Sequence, residues 1–202
     1  MKKNMKIKSI SNKELYALAG RIEVVISNVD GVFNDNRVLE GTPYKPKFRS
    51  YYDGQGLHLL RSIGIPICLI TNEHGPRARS IIDMVKKWNS SPSSRSKKMG
   101  PGWRPVTLYM GVGGVKKVHT AEEWLKTIGK SFDVCAYMAD DILDVPLLQK
   151  VALRAAPAQA EKVIRNIAHF VSEREGGSGA FRDLANFILE AKGIDPLKLT
   201  FE

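Results

Sequence analysis

The sequence predicts an α/β fold built on a doubly wound parallel sheet. Three observations predict it. A chain of 202 residues fits one domain. Short apolar runs alternate along it with stretches of helical period, the order of βαβ units whose sheet is covered on both faces. Acidic, hydroxyl and cationic residues recur just past the apolar runs, where such sheets bind ligands.

The elements follow in order. Strands are expected at 22–27, 66–70, 106–110, 133–138 and 151–154, with helices at about 55–63, 76–87, 117–129 and 142–149 between them. A basic segment, 1–20, precedes the domain, which spans 21–192. Within it, Gly41-Thr42-Pro43 is a turn signal between strand-compatible arms, so 37–52 is expected to insert a β-hairpin. Residues 89–104, rich in Ser, Pro, Gly and Lys, are expected to form an exposed loop, its ends anchored by Trp88 and Trp103. A helix near 158–167, a short run at 169–171, the turn Gly176-Gly177-Ser178-Gly179 and an amphipathic helix 180–191 close the domain. Gly193 and Pro196 end that helix, and 193–202 is a tail.

Composition narrows the partners. No apolar run approaches the roughly 18 residues of a membrane span, and the lysine-rich start has no apolar stretch behind it. Cys68 and Cys135 lie inside apolar runs without metal-ligand spacing, so they read as core thiols of a reducing compartment, the cytoplasm. The formal charge of +10 is spread along the chain with no nucleic-acid motif, which argues against a nucleic-acid partner and suits attraction of an anionic substrate.

The chemistry concentrates at strand ends. Hydrolysis of a phosphomonoester through a carboxylate needs a nucleophilic Asp, an acid/base, a divalent metal and donors for the phosphoryl oxygens. Asp30, in the turn after the first strand, can act as general acid. Thr71, after the second, offers a hydroxyl and a backbone N–H to phosphate. Lys117 opens the helix after the third and offers a cation. Ala139-Asp140-Asp141-Ile142-Leu143-Asp144, after the fourth, offers hard oxygens suited to Mg²⁺. The nucleophile position, two residues before Asp30, holds an amide, Asn28.

The order Asx-x-Asp-Gly-Val, Thr, Lys, Asp-Asp-x-x-Asp resembles the haloacid-dehalogenase superfamily. Tyr52-Asp53-Gly54-Gln55-Gly56-Leu57, Gly176-Gly177-Ser178-Gly179-Ala180-Phe181-Arg182 and the lack of a cap domain are similar to its sugar-acid phosphatase branch, over roughly residues 20–192. That branch removes phosphate from 3-deoxy-octulosonate 8-phosphate or 9-phosphorylated nonulosonates. The resemblance implies a homotetramer and a phosphorylated sugar acid as ligand. It implies Mg²⁺ held by Asn28, the Asp30 carbonyl and Asp140, with Asp141 and Asp144 in support. It implies a phosphate lysine at Lys117, or Lys116 beside it, and substrate contacts from Asp53, Gly54, Asn72 and Arg182.

Asn28 departs from that pattern where it matters most. An amide oxygen can ligate a metal but does not readily form the acyl-phosphate. Asn34 and Asn36 stand where the branch has Thr and Gly, Glu73 where it often has Arg, and Ala139 where it has Gly. Several departures together argue for natural divergence over a single isosteric replacement. The C-terminal domain of vertebrate CMP-sialic acid synthetases is similar and carries an Asn at the same place. The alternative expectation is therefore a non-catalytic oligomerisation or regulatory module. For the remaining candidates the plainer readings are structural: Asp53 as a cap for the helix starting near Gly54, His58, His119 and His169 as structural or surface groups, Arg77 and Arg79 as a solvated helix face. His74 lies nearest the expected site.

Overall fold

The computed structural model describes residues 10–39, 46–90 and 104–199. In chain order the elements are α1 (Asn12–Gly20), β1 (Val24–Ser27), α2 (Tyr51–Ser62), β2 (Ile67–Ile70), α3 (Arg79–Ser90), β3 (Thr107–Tyr109), α4 (Lys116–Thr127), β4 (Cys135–Met138), α5 (Val145–Leu148), β5 (Leu153–Ala156), α6 (Lys162–Ile167), β6 (Phe170–Val171) and α7 (Ala180–Ala191). The six strands form one sheet in the order β3-β2-β1-β4-β5-β6, every pair parallel. The chain winds outward from β1 in both directions, so the order reverses there, and the crevice lies past the carboxyl ends of β1, β2 and β4.

Successive residues of a strand point to opposite faces, and both faces are covered. Val25, Ile67, Leu69, Ala136, Met138, Leu153 and Ala155 pack under α1, α2, α3 and α7. Val24, Ile26, Cys68, Ile70, Cys135, Tyr137 and Ala156 pack under α4, α5 and α6. Double coverage explains why the strands read as unbroken apolar runs. Cys68 and Cys135 are free, buried thiols in the second layer, and burial pushes both thiol pKa values up. No helix of the described residues is long and apolar enough to cross a membrane.

Several expectations need adjusting. The 1–20 segment contains α1, whose Ser11 and Glu14 form a reciprocal capping box. The helix docks on α7 through the Tyr16 ring, 5.1 Å from Phe187 and edge-on, and a Tyr16–Glu190 hydrogen bond of 2.9 Å. The tip of the expected hairpin, 40–45, lies outside the described residues. Its described arms, 37–39 and 46–50, carry no strand, and Tyr51 and Tyr52 open α2, capped by Ser50. The body of the 89–104 loop also lies outside the described residues, as does Trp103. Its ends are held by the buried Arg61, which donates to the carbonyls of Trp88 (3.2 Å) and Arg104 (3.1 Å), and by Asn89, bonded both ways to Val106.

Candidate active site

The loop after β1 is the centre of the site. The Asn28 N–H continues the sheet by donating to Met138 of β4 (2.9 Å). The chain then turns, its Phe33 N–H donating to the Val29 carbonyl (2.8 Å), and buries Val29, Val32 and Phe33. Gly31 adopts φ +75°, and a Cβ there would lie 1.8 Å from the Asp140 carboxylate, so only glycine lets this loop approach β4's end. From the other side Gln159 donates to the Gly31 carbonyl (2.8 Å) and accepts from the Gly176 N–H (2.8 Å). A Cβ on Gly176 would meet the Gly31 carbonyl at 1.9 Å.

A cleft of about 150 Å³ opens at this point, lined by Asn28, Asp30, Asn36, Asn72, Gly113, Lys117, Asp140, Asp141, Leu143 and Asp144. Most of the residues expected to carry chemistry are therefore brought together. Lys117, in the first turn of α4, is buried and reaches Asp144 at 2.5 Å and the Asn28 Oδ1 at 3.2 Å. Lys116 points out and is exposed, which settles which lysine faces the cleft. Tyr137 donates to the same Asp144 oxygen (2.6 Å), so this oxygen of the buried carboxylate accepts twice, and burial, with Asp144 beside it, pushes the tyrosine pKa well up. Burial pushes the Asp140 carboxyl up to about 6, against the Asn28 amide that donates to it.

The Asp30 carboxylate is held by three side chains. Thr71 donates its hydroxyl proton (3.1 Å), Asn34 donates its amide (2.9 Å), and Lys47 forms an ion pair that also reaches Glu73 (3.4 Å). Thr71 differs from expectation. Its backbone N–H donates to the Tyr109 carbonyl (3.0 Å), its hydroxyl also accepts from the Glu73 N–H (3.0 Å), and its surface is fully buried. It positions Asp30; in this arrangement neither of its donors faces the cleft.

Asn34 and Asn36, expected as departures from the branch, both have work in this loop. Asn34 accepts from the N–H groups of Gly31 (3.3 Å) and Asn36 (2.9 Å) while it holds Asp30. Asn36 sits at φ +62°, a region that asparagine tolerates better than most residues, and donates to Asp140 (3.4 Å).

Three expected substrate contacts lie elsewhere. Asp53 is wholly buried and accepts from the N–H groups of Gly179 (3.0 Å), Phe181 (2.9 Å) and Arg182 (3.4 Å). It therefore caps α7, not α2, the helix that begins beside it. Burial pushes its carboxyl up to about 6 against those N–H groups. Gly54 makes room for the Trp88 indole, where a Cβ would meet the ring nitrogen at 2.8 Å. Arg182 bonds Asn186 on its own helix (2.9 Å). Asn72 does line the cleft, whereas Asp141, also at its edge, caps the turn that follows by accepting from the Leu143 N–H (3.1 Å).

The histidines stay structural or peripheral. Burial pushes His58 and His169 down to about 4, His119 pairs with Glu123 on the surface (3.2 Å), and exposed His74 approaches the Asn72 carbonyl (3.1 Å). Arg79 pairs with Asp83 one turn along α3 (3.1 Å). Sequence reasoning missed Lys47 and Gln159. Lys47 lies in the expected hairpin arm with nothing in its spacing to distinguish it from its neighbours, and Gln159 carries no motif at all.

Among the described residues no group of three or more His, Cys, Asp or Glu is arranged to hold a metal. Two of the oxygens that the resemblance gives to magnesium are in place, but the Asn28 amide nitrogen stands between them. The Asp30 carbonyl and the Asp140 carboxylate converge on one point beside Asn28, which both reach within 3.2 Å, and Mg²⁺ takes hard oxygens from one or two carboxylates and keeps several waters.

No family model matches the chain. It is 30% identical over 176 residues to the 3-deoxy-D-manno-octulosonate 8-phosphate phosphatase KdsC of Yersinia pestis, covering 86% of this chain and 83% of that protein. The crystal structure of a Yersinia pestis 3-deoxy-D-manno-octulosonate 8-phosphate phosphatase superposes with a TM-score of 0.77 at 26% identity, over 94% of this chain and 91% of that one. The Moraxella catarrhalis phosphatase of the same name, solved with magnesium, phosphate and KDO, has the same fold (TM-score 0.72, 24% identity, 91% and 94% covered). With its six-stranded parallel sheet and its strand-end cleft, the chain belongs to the KdsC-like sugar-acid phosphatase family of the haloacid-dehalogenase superfamily.

Proposed function

We propose that the chain is a phosphatase-like protein that receives a phosphorylated sugar acid in the cleft and turns it over very slowly or not at all. The observation that carries this reading is Asn28 at the nucleophile position, with Lys117, Asp140 and Asp30 kept around it. Lys117 offers its ammonium to phosphoryl oxygens from within the cleft. Asp30, fixed by Thr71 and Asn34, is placed to hand a proton to a leaving oxygen. Asp140 and the Asp30 carbonyl would hold Mg²⁺ once the Asn28 amide turns aside, and the ion when bound would offset the charge on the transferring group. The Asn28 carboxamide is too weak a nucleophile to accept the phosphoryl group, so the barrier rises by on the order of 5 kcal/mol or more.

A second reading, the non-catalytic assembly module, draws on exposed large hydrophobic side chains. Phe48 is 80% exposed, Val115 74% and Tyr51 71%, surface suited to burial against another copy in a homotetramer.

The test is phosphate release from 3-deoxy-octulosonate 8-phosphate and 9-phosphorylated nonulosonates with Mg²⁺, comparing the native chain with Asn28→Asp. The variant is expected to exceed the native chain by about a thousandfold or more. Native turnover within tenfold of the variant overturns the reading. Inactivity of both shifts the weight to the assembly module.

A further inference from the structure

The orientation of the Asn28 side chain is fixed by its neighbours. The Lys117 ammonium can only donate, and it faces Oδ1 at 3.2 Å. The amide nitrogen must then face the other way, where it donates to the Asp30 carbonyl (2.9 Å) and to Asp140 Oδ1 (3.2 Å). Both partners are acceptors that converge on the same point. A carboxylate at position 28 would bring a third acceptor to that point with no hydrogen between them, an arrangement that needs a cation.

The surrounding donors complete the pattern. Asn36 donates to the second oxygen of Asp140 (3.4 Å), so each oxygen of that carboxylate faces an amide N–H. The Lys47 ammonium, its side chain only 6% exposed, supplies the positive charge beside Asp30. These donors come from the chain itself and from three separate segments, the strand end, the loop after it and the arm before α2.

We infer that the Asn28 carboxamide takes over the structural task of the divalent cation, so that the cleft stays assembled without metal and magnesium binds weakly. Magnesium enters only by turning the amide away from Asp30 and Asp140 and giving up both hydrogen bonds. One substitution thus has two consequences, loss of the nucleophile and release of the fold from the metal. The inference rests on the phosphatase-like reading of the cleft and goes further, to what holds that cleft together.

The test is thermal unfolding of the full chain and of Asn28→Asp, each in EDTA and in roughly 10 mM magnesium chloride. The native chain is expected to melt at the same temperature in both. The variant is expected to melt lower in EDTA and to gain roughly 5–10 °C with magnesium, the shift that a tightly held ligand produces in a protein of this size. An equal magnesium shift in the native chain overturns the inference, as does a variant indifferent to magnesium. Should the variant fail to fold, manganese titrated calorimetrically into the native chain decides: a dissociation constant weaker than about 1 mM supports the inference and a tighter one overturns it. Phosphate release by the native chain would defeat the proposed function without moving these melting curves, so the two can fail separately.

Discussion

Asp140 and Asp53 are two buried carboxyls that differ in what surrounds them. Both are pushed up to about 6 by burial, and the resemblance assigned both to the site. Asp140 faces side-chain amides across a cleft; Asp53 is closed in by three backbone N–H groups at the start of α7. A raised pKa at a buried acid therefore does not by itself mark function. The nature of the donors does, because side-chain donors can move aside for a ligand, whereas a helix's first N–H groups need a permanent acceptor.

The largest effect that tests this contrast is at Lys117. Lys117→Ala leaves Asp144 buried without its cation, at a cost of about 3–5 kcal/mol in unfolding free energy measured with urea. A loss under about 1 kcal/mol would show that water enters the cleft freely and that the site side of the contrast is not a closed network.

Next comes Asp53→Asn, which puts an NH₂ against a helix N-terminus and costs about 1–3 kcal/mol. The sign of its pH dependence follows from the raised pKa. The folded state holds the Asp53 proton more tightly than the unfolded chain, so this contribution is fully present below about pH 4 and is lost as pH rises through about 6. The gap between native and variant should thus be wider near pH 4 than near pH 7 in urea unfolding at both. A gap that widens toward neutral pH would mean that the helix N–H groups dominate over burial.

The smallest effect is at Asp141. It is exposed and caps one short turn, so Asp141→Ala should cost about 0.5–1 kcal/mol, with most of the stability kept. A loss as large as at Lys117 would place Asp141 among the groups that hold the cleft.

How much of this was legible varied by element. The parallel sheet and the strand-end cleft followed from apolar runs with chemical residues at their ends, a signal that survives because both sheet faces are buried. Lys117, Asp30, Asp140 and Asn28 were legible for the same reason. The helix α1 is readable in Ser11-Asn12-Lys13-Glu14, a cap signal that the basic composition of 1–20 obscures. Asp53 was misplaced because its partners are backbone groups more than a hundred residues away, which no local spacing reveals. Lys47 was invisible because its role depends on a fold-back of the chain beside Glu73.

The interlocked glycines give the cleft an evolutionary consequence. Gly31 lies against Asp140 with no room for a Cβ, and Gly176 lies against the Gly31 carbonyl in the same way. The course of the loop is therefore confined by two close approaches, of Gly31 to the Asp140 side chain and of Gly176 to the Gly31 carbonyl, neither of which leaves space for a side chain. Under the proposed function, an exchange at 28 alters the chemistry of a loop that these two glycines still confine, and the return to a carboxylate nucleophile is a single residue long.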